Sequence, residues 1–124
     1  MPRKGANVSE IQYKALYTVE QRTREAEEAR AKNKNRVPII CENADDSDIS
    51  GLQITKYLLQ PDITIGQLLL QLRKRMRVSS EKAIFLFISG SVPPSTAQIS
   101  DLYVHHKDED GFLYIKYTLE ATLG

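Results

Sequence analysis

The amino-acid sequence predicts an α+β fold whose elements follow the order ββαβαβ after an N-terminal helical segment. Three observations support this prediction: a central stretch with apolar residues at helical spacing, short apolar or alternating runs on either side of it, and a leading stretch rich in helix formers. A chain of 124 residues is long enough for one compact domain and short for two. We therefore expect a single core.

The composition is that of an ordinary globular protein. Hydrophobic residues make up 41% of the chain and charged residues 27%, and the formal net charge of +1 argues against a general affinity for nucleic acid. The single cysteine, Cys41, excludes an internal disulfide, and its run VPIIC favours a buried small hydrophobe over a nucleophile. Because no apolar run could cross a bilayer and MPRKGANVSE is no secretory signal, we expect a cytoplasmic protein.

Residues 9–34 contain no proline or glycine and predict one long helix or two short ones. The charge run QRTREAEEARAKNKNR is expected to form a solvated face. The opposite face is expected to pack on the rest of the protein. It carries small, apolar or amphipathic residues at helical spacing, namely Val8, Ile11, Ala15, Val19, Thr23, Ala26 and Arg30.

Two strands are predicted next, and together they should form a hairpin. RVPIIC is the first, with Pro38 placing it at a sheet edge or near a strand start, and NADDSDISG after it is rich in turn formers. LQITKYLL is the second. Its side chains alternate between two faces, with Ile54, Lys56 and Leu58 on one and Thr55, Tyr57 and Leu59 on the other.

The stretch PDITIGQLLLQLRKRMRV predicts the clearest helix, which should start at Thr64 because Thr64 and Gln67 form a capping box. Its core-facing residues are predicted to be Ile65, Leu68, Leu69, Leu72 and Met76. The basic cluster RKRMR near its end complements the helix dipole, and contact with acidic lipid or an acidic partner is the alternative.

The remaining elements complete the order. AIFLFI is apolar at successive positions and predicts a strand covered on both faces. Ser95 and Gln98 predict a capping box before a short helix, and FLYIKYT predicts the last strand. One face of the sheet can take the central helix, so the N-terminal segment should cover the other.

This order is that of a ubiquitin-like β-grasp fold. We expect residues 1–34 to form a helical extension packed on the sheet, residues 35–118 to form the ubiquitin-like domain, and residues 119–124 to form a flexible C-terminal tail.

Four segments, NRVPIICENA, KYLLQPDITIGQLLLQLRKRM, IFLFISGSVPPSTAQISDLY and DEDGFLYIKY, resemble the ubiquitin-like autophagy modifiers, the family that includes GABARAP and the light chain of microtubule-associated proteins. The match runs from about Glu20 to Gly124. The resemblance implies a modifier that is a substrate of other enzymes, with no catalytic residues and no cofactor of its own.

The resemblance also implies a role for Gly124. In this family an E1-like enzyme activates the terminal glycine, an E2-like enzyme receives it as a thioester, and an amide to phosphatidylethanolamine then anchors the protein on forming autophagosomes. A cysteine protease releases it. A glycine on a flexible tail suits this chemistry because it has no Cβ to hinder attack on its carbonyl. Relatives are generally made with residues after the glycine, so here it is either encoded as the last residue or was exposed by trimming.

A second implied role is binding of cargo receptors through aromatic-x-x-aliphatic peptides, which would add as a strand to the sheet edge near Lys56 to Leu58. The residues implied for a first pocket are Glu25, Pro38, Lys56, Leu58 and Phe112, and those for a second pocket are Tyr57, Leu59, Ile63 and Leu68. Arg36 and Arg73 would meet acidic residues that flank the motif.

The residues alone also permit simpler interpretations of these positions. Tyr57, Leu59, Leu68 and Phe112 could all be core residues, and Lys56 could be either an edge-blocking charge or a ligand contact. Four features differ from the family pattern. Ala29 replaces a larger aliphatic of the first pocket, Gln71 an apolar residue of the second, and Leu123 the aromatic residue before the glycine, while LLQPD carries its proline one position later than the VPSD pattern of relatives.

Other site classes have weak support. His105 and His106 are adjacent, so on a helix they point in different directions and are not expected to share a metal. No glycine-rich phosphate loop, CxxC pair or nucleophile elbow occurs, and the near-neutral charge argues against nucleic-acid binding as the main role.

Three hypotheses about function remain, and the one ranked last, a plain structural subunit, leaves the terminal glycine and Lys56 unexplained. The first is a conjugated modifier that is monomeric when free and is attached through Gly124. The second is an unconjugated adaptor that uses only the peptide groove to link cargo or cytoskeleton, and it predicts binding that tolerates removal of Gly124.

Overall fold

The computed structural model describes residues 11–44, 54–79 and 81–119, in which helices flank both faces of one mixed sheet. The elements are α1 (Gln12–Leu16), α2 (Val19–Lys32), β1 (Val37–Asn43), β2 (Ile54–Leu59), α3 (Ile65–Met76), β3 (Ile84–Phe87), α4 (Ile99–His106) and β4 (Leu113–Leu119). The strand order is β2-β1-β4-β3, with β1 and β4 parallel and both outer pairs antiparallel. The predicted order of elements is confirmed.

The first two strands pair antiparallel as predicted, with Val37 opposite Leu59, while the connecting residues 45–53 lie outside the described ranges. Of the two places predicted for Pro38, the start of a strand is the one observed, since β1 lies in the middle of the sheet. Pro38 has no N–H to offer its partner Leu58, whose carbonyl accepts a hydrogen bond from Arg36 Nη1 at 3.2 Å.

The larger apolar cluster lies between the sheet and α3. The predicted capping box forms, with Gln67 N donating to Thr64 Oγ1 at 3.2 Å and Thr64 N donating to Gln67 Oε1 at 2.9 Å. Leu68 and Leu72 are fully buried, and Cys41 lies in the same cluster as a buried thiol. Burial raises the pKa of Cys41 to about 12, so the thiol stays protonated and unreactive.

The N-terminal segment forms two helices, because Thr18 interrupts the helical pattern. Its side chain caps α2 in a capping box with Gln21, a signal present in the sequence as TVEQ. The predicted buried face was wrong at Ala15, Val19 and Arg30, which are exposed, whereas Tyr13 is buried. Because the helix is interrupted at Thr18, α1 and α2 turn different sides toward the sheet. A single helical period through both therefore does not identify their buried residues. Val8 lies outside the described residues.

The prediction that both faces of the third strand are covered was wrong. Ile84 and Leu86 are buried toward α3, but Phe85 is 44% exposed. The reason is the position of β3 at the sheet edge, since α1 and α2 pack mainly against β1.

The capping box predicted from Ser95 and Gln98 does not form. Helix α4 begins at Ile99, and its cap residue Gln98 makes no side-chain cap hydrogen bond. Ile99 N instead donates to the Ile63 carbonyl and Ser100 N to the Pro61 carbonyl, both at 2.9 Å. Backbone carbonyls of the segment before α3 thus satisfy the first N–H groups of α4.

Candidate functional site

The free edge of β2 is the main feature of the predicted peptide site. Since β2 comes first in the order β2-β1-β4-β3, its outer edge has no strand partner within the described ranges. A strand edge of this kind offers main-chain N–H and C=O groups to an added peptide strand.

Side chains of β2 divide the predicted residues between the two faces of the sheet. Lys56 and Leu58 lie opposite Ile40 and Pro38 of β1, on the face covered by α1 and α2. The predicted first pocket lies there and consists of Glu25, Pro38, Lys56, Leu58 and Phe112. The α3 face carries the predicted second pocket, consisting of Tyr57, Leu59, Ile63 and Leu68.

An ion pair dominates the first side. Lys56 Nζ pairs with Glu25 Oε2, which joins β2 to α2, and the Tyr13 hydroxyl donates to Glu25 Oε1. Burial acts to raise the pKa of Glu25, but the hydrogen bonds from Lys56 and Tyr13 outweigh it and hold this pKa below its ordinary value. Phe112, 2% exposed, lies in the apolar cluster of Tyr13, which bonds to this pair through Glu25. In this structure the first side is therefore closed by a charged contact.

The second side is also mostly filled. Leu59 and Leu68 are buried, Ile63 and Tyr57 are half-buried, and the Arg75 guanidinium lies 5.7 Å from the centre of the Tyr57 ring. Within the described chain the buried Tyr57 hydroxyl has no hydrogen-bond partner. This hydroxyl is therefore a buried polar group beside an apolar cluster.

The two predicted flanking arginines are placed differently. Arg36 reaches across the β1–β2 pair to the Leu58 carbonyl and is exposed beside the groove. Arg73 donates through Nη1 to the carbonyls of Ser79 and Lys82, at 3.0 and 2.6 Å. The contacts described for Arg73 thus hold the segment after α3 rather than the β2 edge.

Ala29 and Gln71 are two of the positions that differ from the expected pattern. Ala29 is half-buried on α2 and Gln71 is exposed on α3. Ala29 offers a peptide side chain less apolar contact than a larger aliphatic residue would. Gln71 makes the α3 side of the groove more polar than an apolar residue would.

Sequence reasoning missed two buried carboxylates next to this site. Glu42, 1% exposed, accepts hydrogen bonds from Gln12 N at 2.9 Å and Tyr13 N at 2.7 Å, and Lys116 Nζ lies 3.6 Å from its Oε1. It therefore caps α1 and fixes that helix to β1.

Asp110, also 1% exposed, is the second of these carboxylates. Its carboxylate accepts hydrogen bonds from Phe112 N at 2.8 Å and from the Tyr114 hydroxyl at 2.6 Å, and Arg22 Nε lies 3.3 Å from it. Burial and Asp110 together raise the pKa of Tyr114. Sequence offers only a weak signal for this contact, because Arg22 lies far from Asp110 along the chain.

A cavity of about 620 Å³ lies away from the groove and is lined by Phe87, Tyr114 and Lys116, among others. It borders Ile11 and Ala44, where described ranges end.

The predicted conjugation residue, Gly124, lies outside the described residues. Among residues that are described, no group of three or more His, Cys, Asp or Glu is placed to hold a metal ion. The described helices are also all too short or too polar to span a membrane.

Comparison with known proteins decides the family. Residues 21–124 match the family model described as "Autophagy protein Atg8 ubiquitin like". The chain belongs to the Atg8 family. It is accordingly a ubiquitin-like modifier of autophagy and not an enzyme, as the resemblance implied.

Relatives and solved structures agree with this membership. Autophagy-related protein 8 of Emericella nidulans is 47% identical over 112 residues, which are 90% of this chain and 95% of that protein. Its counterpart from Neurospora crassa is 46% identical over 90% of this chain and 93% of the relative. The crystal structure of Trypanosoma brucei ATG8 has a TM-score of 0.83 and 42% identity, covering 94% of this chain and all of that one. The ubiquitin-like fold is therefore confirmed.

One further structure was solved with a peptide. Plasmodium falciparum Atg8, in complex with a Plasmodium falciparum Atg3 peptide, has a TM-score of 0.73 and 29% identity, covering 94% of this chain and 95% of that one.

Proposed function

We propose that this Atg8-family chain is conjugated through Gly124 to phosphatidylethanolamine and recruits cargo receptors that carry aromatic-x-x-aliphatic motifs. The observation that supports the recruiting role best is the free edge of β2, with the predicted first-pocket residues on one side of it and the predicted second-pocket residues on the other. Main-chain pairing along β2 would supply affinity, and the two side-chain sites would supply specificity.

Conjugation is supported by the family match, which extends to residue 124. An E1-like enzyme would activate the Gly124 carboxylate, an E2-like enzyme would pass it to the lipid amine, and a cysteine protease would reverse the step. The Plasmodium relative bound to an Atg3 peptide supports an Atg3-type enzyme as a partner of this chain. The protein would be a cytoplasmic monomer when free and would lie on the autophagosome membrane once its lipid is attached, because two acyl chains give durable anchoring.

The conjugation step is tested by intact mass. The protein is incubated with E1-like and E2-like autophagy enzymes, ATP and phosphatidylethanolamine liposomes, beside a Gly124→Ala variant. The expected result is a mass increase equal to one lipid less water, which is absent in the variant. No increase, with the same enzymes active on a known relative, would favour the unconjugated adaptor instead.

The groove is tested separately by calorimetry with an aromatic-x-x-aliphatic peptide. Leu58→Asp, on the β2 edge, should weaken binding by about ten-fold or more, since a charge would enter the apolar contact. Phe85→Asp, on the opposite edge of the sheet and 44% exposed, is the matched control and should leave affinity unchanged. If both variants lost the same amount of peptide affinity, the β2 edge would not be the binding site.

A further inference from the structure

Tyr13 connects the N-terminal helix to the predicted first pocket. It is 3% exposed, and its ring meets that of Phe112 edge to face, with centroids 5.8 Å apart. Its hydroxyl donates to Glu25 Oε1, while Glu25 Oε2 pairs with Lys56. One carboxylate thereby joins α1, α2 and β2, and the resemblance to the family did not place Tyr13 in this set.

This connection closes the first side of the groove. Phe112 is buried and packs against the Tyr13 ring, and the side chains of Lys56 and Glu25 are 53% and 37% exposed. Lys56 Nζ also lies 5.9 Å from the centre of the Tyr13 ring. Because Phe112 is buried, and because the Lys56–Glu25 pair joins β2 to α2, a peptide side chain that enters between these two elements would have to separate Lys56 from Glu25.

From this geometry we infer that Tyr13 is a positioning residue whose hydroxyl, acting through Glu25, holds the first pocket closed and so sets the affinity for aromatic-x-x-aliphatic peptides. This inference rests on the proposed function of the groove. Tyr13 touches no peptide in this scheme. It holds Glu25 where Glu25 pairs with Lys56, and the open and closed pockets are in equilibrium.

The size of the effect follows from that equilibrium. When only the open form binds, apparent affinity equals the intrinsic affinity multiplied by the open fraction. Because Glu25 is partly exposed, losing this hydrogen bond should shift the equilibrium by as much as losing an ordinary net hydrogen bond, about three- to ten-fold. Tyr13→Phe keeps the ring contact with Phe112 and removes only the hydroxyl, so it should bind the peptide about three- to ten-fold more tightly.

The experiment measures peptide affinity by calorimetry for wild type, Tyr13→Phe, Glu25→Ala and the double variant. Tyr17→Phe is the matched control, because the Tyr17 ring packs against that of Tyr13 at a tilt of 47°, with centroids 4.8 Å apart, but Tyr17 is 43% exposed. We expect tighter binding from Tyr13→Phe, no change from Tyr17→Phe, and no added effect of Tyr13→Phe once Glu25 is alanine. A peptide with alanine in place of its aromatic residue should show no gain.

A second readout does not depend on peptide. Carbon-13 chemical shifts of the Glu25 carboxyl, followed through a pH titration, should give a higher pKa in Tyr13→Phe than in wild type, because the lost hydrogen bond favours the charged form. A general packing defect would not produce this shift.

The outcomes separate the two proposals. If wild type binds no such peptide, the proposed groove fails and this inference fails with it. If wild type binds, yet Tyr13→Phe binds equally or more weakly, or gains affinity in the Glu25→Ala background as well, the closing role of Tyr13 is refuted and the groove stands.

Discussion

The two faces of the sheet are held by different kinds of contact. Against α3 lies the larger cluster of buried aliphatic and aromatic side chains, with Leu72 and Leu113 fully enclosed. The face under α1 and α2 has a small apolar cluster and two buried carboxylates, Glu42 and Asp110. Apolar burial responds little to pH, whereas charged hydrogen bonds depend on it. We therefore expect the α3 face to form the more stable part of the core, and α1 and α2 to open from the other face at a lower free-energy cost.

The strongest test of the comparison removes apolar volume from the α3 face. Leu72→Ala should lower the free energy of unfolding by about 3–5 kcal/mol, because a fully enclosed side chain leaves a cavity. Leu70→Ala, two residues along the same helix and 61% exposed, should change it by less than about 0.5 kcal/mol. Urea denaturation followed by circular dichroism measures both. Similar losses would contradict the assignment of this face.

A second test removes charge from the other face. Asp110→Asn should cost about 3 kcal/mol, because it leaves Arg22 buried without its ion pair. Glu109→Gln, at an exposed neighbouring position, is the control. Hydrogen exchange should rise in α1 and α2 more than in α3. Uniform exchange across both faces would show that the sheet and the N-terminal layer form a single cooperative unit.

The smallest expected effect is that of acid on the N-terminal layer. At both Glu25 and Asp108 burial acts to raise the pKa, but hydrogen bonds from Lys56 and Tyr13 to the first and from Lys14 to the second hold each pKa below its ordinary value. Groups with a lowered folded pKa contribute stability above their ordinary values of 4.5 and 3.8, and this contribution is lost as the pH falls through and below them.

Between about pH 5 and pH 3, amide exchange should therefore rise in α1 and α2 before it rises in α3. The double variant Glu25→Gln, Asp108→Asn should show a flatter dependence over the same interval. A wild-type profile in which α3 opens first would contradict the comparison.

Sequence reasoning succeeded where the signal was local. The capping box of Thr64 and Gln67 and the spacing of Leu68 and Leu72 specify α3 within a few turns, and the structure has both. It failed where the partner is distant. Tyr13 is buried because its backbone N–H donates to Glu42 and its ring packs against Phe112. A helix of five residues is too short for its apolar spacing to indicate these contacts.

The candidate site divides in the same way. Alternation along LQITKYLL correctly separated Lys56 and Leu58 from Tyr57 and Leu59. Predicting the ion pair between Lys56 and Glu25 would have required the position of α2 on the sheet, and neither composition nor residue spacing gives that position. Family resemblance named both residues but not the contact between them.

The parallel pairing of β1 with β4 has a consequence for how the protein is made. β1 (Val37–Asn43) and β4 (Leu113–Leu119) are far apart along the chain, yet they lie side by side in the centre of the sheet. During synthesis β1 and β2 can pair early. The other edge of β1 has no partner strand until β4 has emerged from the ribosome, near the end of the described chain. Such long-range pairing slows folding and leaves a strand edge open to neighbouring chains. A chain that stops before β4 should therefore aggregate rather than persist as a half-folded domain.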